Sequence, residues 1–283
     1  MLNLTNADLN VEILHPIEEQ FRLGSRYCTA GYIWQVTDAR LGALLSGPEY
    51  PFEPIPFNGQ GIPDMFRRPL GEEAAGVGDE VSCIGVGRVL RSSPKPTFSA
   101  ADNPTVTAFL DWEIEATPLT LTMRAEHSFG NWGYFIEREV SLAGRIVRSK
   151  TTLRNQGRLP VSLYWFPHPF FPLTPDQVLC RFSVPVRAPE NPGYVLRADG
   201  FIERKPDYDW QKGCYLALDF DYTDQPLSVV QKHSLLGEVA AQMSYSPAYL
   251  PIWGNHRTFS FEPFIEREIA CGNSEQWEVS YRF

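Results

Sequence analysis

The sequence P-V-S-L-Y-W-F-P-H-P-F-F-P-L occupies residues 160–173 and contains the most informative histidine of the chain. Its first four residues form an apolar run typical of a buried strand. Prolines on both sides of His168 favour extended backbone and remove two hydrogen-bond donors, so we expect the imidazole at or just beyond the strand end. A fixed, half-buried imidazole is suited to proton transfer because histidine titrates near neutral pH. The alternative is a packed histidine that ends a core strand.

Short strand-like segments surround this stretch on both sides. Residues 134–142 and 146–153 are separated by Ala143-Gly144, which predicts a hairpin. Residues 105–115 alternate between apolar and polar positions and predict one further strand. No segment has the pattern of an amphipathic helix of three turns. We therefore predict a large all-β fold of antiparallel sheets, arranged as a sandwich or a barrel-like pair.

Length and charge limit the class of protein. The chain has 283 residues, of which 43% are apolar, so it can bury a large core. No boundary has a linker composition, and we expect a single domain over residues 1–283. The 25 basic and 34 acidic residues give a net charge of −9, which argues against binding to nucleic acid or to anionic membranes. No apolar run is long enough to span a membrane.

The five cysteines are scattered and no two lie within four residues of each other. This spacing suggests neither a disulfide framework nor a zinc site, so we expect reduced thiols that are mostly buried. The N-terminus lacks the basic and apolar regions of a signal peptide. We therefore expect a cytoplasmic protein.

Residues 47–69 contain six prolines, which exclude a helix or a central strand there. The later part of this proline-rich loop, residues 57–68, mixes aromatic and polar side chains. Such a loop suits the rim of a pocket, and the alternative is an ordinary surface loop.

A second candidate residue lies about ninety positions after His168, in the sequence F-S-F-E-P-F at residues 259–264. In a strand, Ser260 and Glu262 point to one face and the neighbouring phenylalanines to the other. A carboxylate among phenylalanines is disfavoured as an ion unless a polar group faces it. The alternative is a salt-bridged or edge-exposed glutamate.

Taken together, these motifs resemble the aldose 1-epimerase (galactose mutarotase-like) superfamily. The resemblance covers nearly the whole chain and rests on residues 153–157, 168–171, 261–263 and the closing strand at 277–283. It implies a β-supersandwich fold and a small sugar as substrate, an aldose that is either free or phosphorylated, with no cofactor and no metal. It also implies that His168 is the general acid and Glu262 the general base, on opposite sides of the sugar, for the interconversion of α and β anomers.

The chain departs from the best-known mutarotases at other positions. It has no His-Gly-Gly motif and no Gly-Arg-x-x-Asn-Arg motif, which supply their second histidine and sugar-binding arginine. His127 continues the apolar row of a predicted strand and is the candidate for the second histidine. Arg68 or Arg26 is the candidate for the arginine. These departures leave two alternatives open, a non-catalytic carbohydrate-binding protein on the same fold and a lyase or hydrolase domain.

Overall fold

The computed structural model describes residues 1–283 and consists almost entirely of antiparallel strands. The strands of the first part are β1 (Leu2–Thr5), β2 (Leu9–Ile13), β3 (Ile33–Asp38), β4 (Gly42–Ala43), β5 (Asp64–Phe66), β6 (Glu80–Cys83), β7 (Gly87–Leu90), β8 (Val106–Phe109), β9 (Glu113–Ala116), β10 (Thr120–Phe129), β11 (Trp132–Ala143), β12 (Ile146–Asn155) and β13 (Val161–Pro167). The second part contains β14 (Phe171–Pro172), β15 (Cys180–Phe182), β16 (Val186–Arg187), β17 (Tyr194–Leu196), β18 (Ile202–Arg204), β19 (Cys214–Ala217), β20 (Asp219–Phe220), β21 (Ser228–His233), β22 (Gly237–Met243), β23 (Pro251–Gly254), β24 (Thr258–Phe261), β25 (Ile265–Ile269) and β26 (Ser274–Arg282). The helices are two three-residue 3-10 segments, Gln20–Arg22 and Trp210–Lys212.

The largest sheet has eight strands in the order β15-β21-β22-β26-β12-β11-β10-β9. Two of its pairs share the greatest length, and one of them is the predicted hairpin of β11 and β12. The hairpin turns at Gly144 and Arg145, one residue later than expected, because Ala143 still pairs with Ile146. Gly144 has a φ of 55°, which a residue with a side chain adopts only at a cost. The C-terminal strand β26 lies between β12 and β22, so the last residues of the chain complete the centre of this sheet.

Two smaller sheets, β25-β13-β5 and β14-β24-β23-β19, form a second layer over the large sheet. Aromatic side chains fill the space between the layers. The Trp277 ring of β26 lies 5.3 Å from that of Trp165 on β13, and the Tyr281 ring lies 6.3 Å from that of Phe171 on β14. The inner face of the second layer is therefore core, and the outer face is available for a site.

The prediction of one strand over residues 105–115 is wrong. The segment forms β8, which pairs with β7, and β9, which pairs with β10 in the large sheet. Between them Leu110 and Trp112 are buried, and the indole N–H of Trp112 donates to Thr29 Oγ1 at 2.9 Å. Leu110 and Trp112 lie where the chain passes from the sheet of β7 and β8 to the large sheet, and both side chains point into the core. The alternation of apolar and polar residues therefore continues from β8 to β9 although the two strands belong to different sheets.

A buried ion pair joins the two layers. Arg138 on β11 is 1% exposed, and its Nη1 donates to Asp64 Oδ1 on β5 at 2.8 Å. Its Nη2 contacts the other carboxylate oxygen, and the indole N–H of Trp165 also donates to Oδ1 at 3.0 Å. A buried charge is tolerated only when it is paired and hydrogen-bonded, so this cluster fixes β5 against β11 and β13.

All five cysteines are free thiols, four of them buried and Cys271 exposed. No helix of the chain is long and apolar enough to cross a lipid bilayer.

Candidate active site

His168 directly follows β13 and is buried, with 3% of its surface exposed. Its backbone N–H donates to the carbonyl of Pro63 at 2.8 Å, so the proline-rich loop fixes the chain at the strand end. Several aromatic rings surround the imidazole, including that of Phe170 at a centroid distance of 4.4 Å. The position beyond the strand end agrees with the sequence prediction, whereas the burial exceeds the half-buried state expected.

Glu262 directly follows β24 and is also buried, at 6% exposure. The alternation predicted from the sequence is present. Ser260 and Glu262 both face His168, whereas Phe259 and Phe261 are fully buried in the core between the layers. The carboxylate is therefore placed on the outer face of the second layer.

The two candidate catalytic side chains touch each other. His168 Nε2 lies 3.3 Å from Glu262 Oε1, and Nδ1 lies 2.8 Å from Ser260 Oγ. Because a hydroxyl both donates and accepts, Ser260 can pair with Nδ1 in either tautomer of the ring. This geometry differs from the expected placement on opposite sides of a sugar, since both groups lie on one wall. Such a pair can exchange protons with two oxygens that are bonded to the same carbon.

Burial shifts the pKa values of Glu262 and His168 in opposite directions, because it penalises the charged form of each group. It raises the pKa of Glu262 to about 7, and the nearby charges of Arg26 and Arg67 limit that rise. Burial lowers the pKa of His168 well below its ordinary value, and the charge of Arg26 lowers it further. Near neutral pH the imidazole is neutral, while Glu262 retains its proton in a substantial fraction of molecules. Divergent pKa values in neighbouring groups are typical of acid–base pairs.

The pair lies in the wall of a cavity of about 530 Å³. This volume lies within the range of small-molecule sites, about 300–1,000 Å³. Aromatic and amide side chains line it, among them Phe166, Phe170, Tyr215, Trp253, Asn58 and Asn255. Aromatic faces and amide groups are the side chains that pack against and hydrogen-bond a polar ring.

The proline-rich loop contributes a large part of this wall, through Pro48, Glu49, Phe57 and Asn58, and through Met65 at β5. The interpretation of residues 57–68 as a pocket rim is therefore confirmed. Gly61 enables the close approach of this loop to the core, because its φ is 74° and an added Cβ would lie 2.3 Å from the Ile33 carbonyl oxygen.

The two candidate arginines have different positions. Arg26 lines the cavity, and its guanidinium lies 4.5 Å from the Phe57 ring. Arg68 lies outside the cavity lining, where it pairs with Glu266 at 2.7 Å and covers the Tyr164 ring. Its neighbour Arg67 lines the cavity instead.

His127 also lies outside the cavity lining. It is on β10 opposite Tyr134 of β11, and the two rings are 5.5 Å apart. Burial lowers its pKa, and its Nε2 has no hydrogen-bond partner. The structure thus brings together His168, Glu262 and Arg26, and does not bring His127 or Arg68 to them.

Sequence reasoning included Arg67 in the rim segment 57–68 without choosing it as the arginine of the site, and it assigned no aromatic residue, Trp253 included, to the site. A signal for Arg67 exists: it directly follows β5, and the period of two puts it on the same side as Met65, while Asp64 and Phe66 face the core. No comparable signal exists for Trp253. It pairs with Ser260 across β23 and β24, but its segment resembles the many aromatic strands of the core.

No protein-family model and no curated protein matches the sequence. Solved structures do match the fold over 99% of this chain. A galactose mutarotase-related enzyme from Lactobacillus acidophilus has a TM-score of 0.61 and 12% identity, with 96% of its own chain covered. An aldose epimerase homologue from C. elegans has a TM-score of 0.55 and 11% identity, with 97% covered. A galactose mutarotase-like protein from Clostridium acetobutylicum has a TM-score of 0.54 and 12% identity, with 93% covered. The chain therefore has the all-β fold of the galactose mutarotase-related proteins.

Proposed function

We propose that this protein interconverts the anomers of an aldose, with His168 and Glu262 as the acid–base pair. The observation that carries the proposal is their contact at 3.3 Å in the wall of a cavity large enough for a sugar. Similarly folded proteins are named as mutarotase-related or aldose epimerase-like, which supports the same activity for this chain, although fold alone does not define function.

Opening of the sugar ring needs one proton donor and one proton acceptor. The hydroxyl on C1 loses its proton while a carbonyl forms at C1, the bond from C1 to the ring oxygen breaks, and the ring oxygen gains a proton. Because burial favours the uncharged forms, the resting pair is protonated Glu262 and neutral His168. Glu262 then donates to the ring oxygen, and His168 Nε2 accepts the proton from the hydroxyl on C1.

Ring closure reverses both transfers after rotation about the C1–C2 bond. The imidazolium of His168 returns its proton to the carbonyl oxygen, and the carboxylate of Glu262 takes the proton from the former ring oxygen. The family resemblance implies the opposite assignment for ring opening, with His168 as acid and Glu262 as base; the proposal exchanges the two roles because burial favours protonated Glu262 and neutral His168. Both groups regain their starting protonation, so the turnover needs no exchange with solvent.

The test is exchange NMR of anomers on a panel of aldoses, with the wild-type protein beside His168→Asn and Glu262→Gln. Glu262→Gln keeps the side-chain size, His168→Asn keeps a smaller planar polar side chain, and each variant removes the titratable group. Each transfer contributes about 10²–10⁴-fold to such a reaction, so we expect losses of that size. Circular dichroism establishes that each variant is folded.

If wild-type protein binds an aldose without accelerating exchange, the assignment of the pair fails. The cavity would then belong to a carbohydrate-binding protein. We also propose that the protein acts in the cytoplasm, the location expected from its sequence.

A further inference from the structure

Two arginines face the cavity without an acidic partner. Arg67 lines it and makes no side-chain hydrogen bond or ion pair with the protein; its backbone N–H alone is engaged, with the carbonyl of Tyr164. The adjacent Arg68 is fully engaged outside the cavity, with Glu266, Ser162 and the Tyr164 ring. The guanidinium on the cavity side is therefore the one left available.

Arg26 is held in place by groups that do not neutralise it. Its Nη1 donates to the carbonyl of Phe57 at 3.0 Å, and its guanidinium lies over the Tyr27 and Phe57 rings. These contacts fix the orientation of the guanidinium, while its remaining N–H groups have no protein acceptor. An arginine immobilised in this way loses little further conformational freedom when a ligand binds.

Neither acidic side chain of the cavity forms an ion pair with Arg26 or Arg67. Glu49 accepts hydrogen bonds from the backbone of Ile55 and from the Asn58 amide. Glu262 is engaged with His168. Lys212 also lines the cavity, but it pairs with Asp209 at 3.5 Å. Arg26 and Arg67 are therefore the cations of the lining that form no ion pair, in a chain whose net charge is −9.

Building on the proposed function, we infer that the substrate is an aldose with an anionic substituent, which Arg26 and Arg67 bind. The planar guanidinium fork matches phosphate and carboxylate oxygens, and charge-assisted hydrogen bonds are the strong ones. Phosphate and carboxylate share this chemistry, so a sugar phosphate and a uronic acid are the two sources. A neutral sugar would leave both charges unmatched in the bound complex.

The experiment compares kcat/KM for anomer exchange of a neutral aldohexose, its 6-phosphate and the corresponding uronic acid. Wild-type protein prefers one of the anionic sugars over the neutral one. In Arg67→Ala and in Arg26→Ala the ratio of anionic to neutral kcat/KM falls by about 10- to 100-fold, the value of a hydrogen bond to a charged group. Arg68→Ala, which removes the same charge one residue away, leaves the ratio unchanged.

Equal kcat/KM for the neutral and anionic sugars overturns the inference and leaves the proposed function standing. An unchanged ratio in Arg67→Ala and Arg26→Ala also overturns it. Calorimetric titration with the 6-phosphate and the uronic acid separates the two proposals. If no sugar is exchanged but an anionic sugar binds and both variants weaken that binding, anion recognition stands and the epimerase function fails.

Discussion

Glu262→Gln should change how the stability of the protein depends on pH. The carboxyl group is buried, and burial raises its pKa from 4.5 to about 7. The folded protein therefore binds a proton more tightly at this site than the unfolded chain does. By linkage, the free energy of unfolding falls as pH rises through the interval between these two values. Glutamine is neutral at every pH and removes this dependence.

The size of the change in the free energy of unfolding follows from the pKa shift of Glu262. A difference of about 2.5 units at about 1.4 kcal/mol per unit corresponds to about 3 kcal/mol, most of which develops between about pH 5 and about pH 8. His168 acts in the opposite sense, because its lowered pKa makes stability rise with pH up to its unfolded value of 6.5. Above that value the imidazole is neutral in both states and only Glu262 contributes.

The assay is urea unfolding of wild-type protein and Glu262→Gln at several pH values, followed by tryptophan fluorescence. We expect the variant to gain about 2 to 3 kcal/mol relative to wild type between the acidic and alkaline ends of that range. Glu266→Gln, which changes an exposed carboxylate on β25, is the matched control and should show no such gain. A difference between Glu262→Gln and wild type that stays constant with pH would refute the reasoning.

Three further predictions concern activity and the scaffold of the site. Anomer exchange should decline as pH rises through about 7, because the resting pair loses its proton from Glu262; a rate that increases over this interval in NMR exchange would contradict the proposed donor. Asp64→Asn should lower the free energy of unfolding by about 3 to 5 kcal/mol, because it leaves the buried charge of Arg138 unpaired. The double change Asp64→Asn with Arg138→Met should recover part of that loss in the same denaturation assay. Gly61→Ala should lower the free energy of unfolding by about 2 kcal/mol or more, because its Cβ would collide with the Ile33 carbonyl oxygen. Gly42 also has a positive φ but lies in open space, so Gly42→Ala should lower it by only about 1 kcal/mol. Equal losses in the two variants would exclude the steric argument.

The strand architecture could be predicted from the sequence to a large extent. The turn residues Ala143-Gly144 between two strand-like segments correctly predicted the hairpin of β11 and β12. Alternation along a strand is a property of the backbone itself, so it placed Ser260 and Glu262 on one face. The same local rule failed at residues 105–115. Local alternation does not show which sheet a segment pairs with, because pairing depends on distant strands.

The candidate site was only partly predictable for the same reason. The sequence by itself determined that His168 stands at a strand end between prolines and that Glu262 follows a strand with core phenylalanines. Only the tertiary structure brought these two groups into contact, selected Arg67 over Arg68 for the cavity, and left His127 elsewhere. It also set the divergent pKa values, because desolvation depends on every segment that covers a group. Backbone periodicity is local, whereas contact, burial and charge at a site arise from residues about a hundred or more positions apart in the chain.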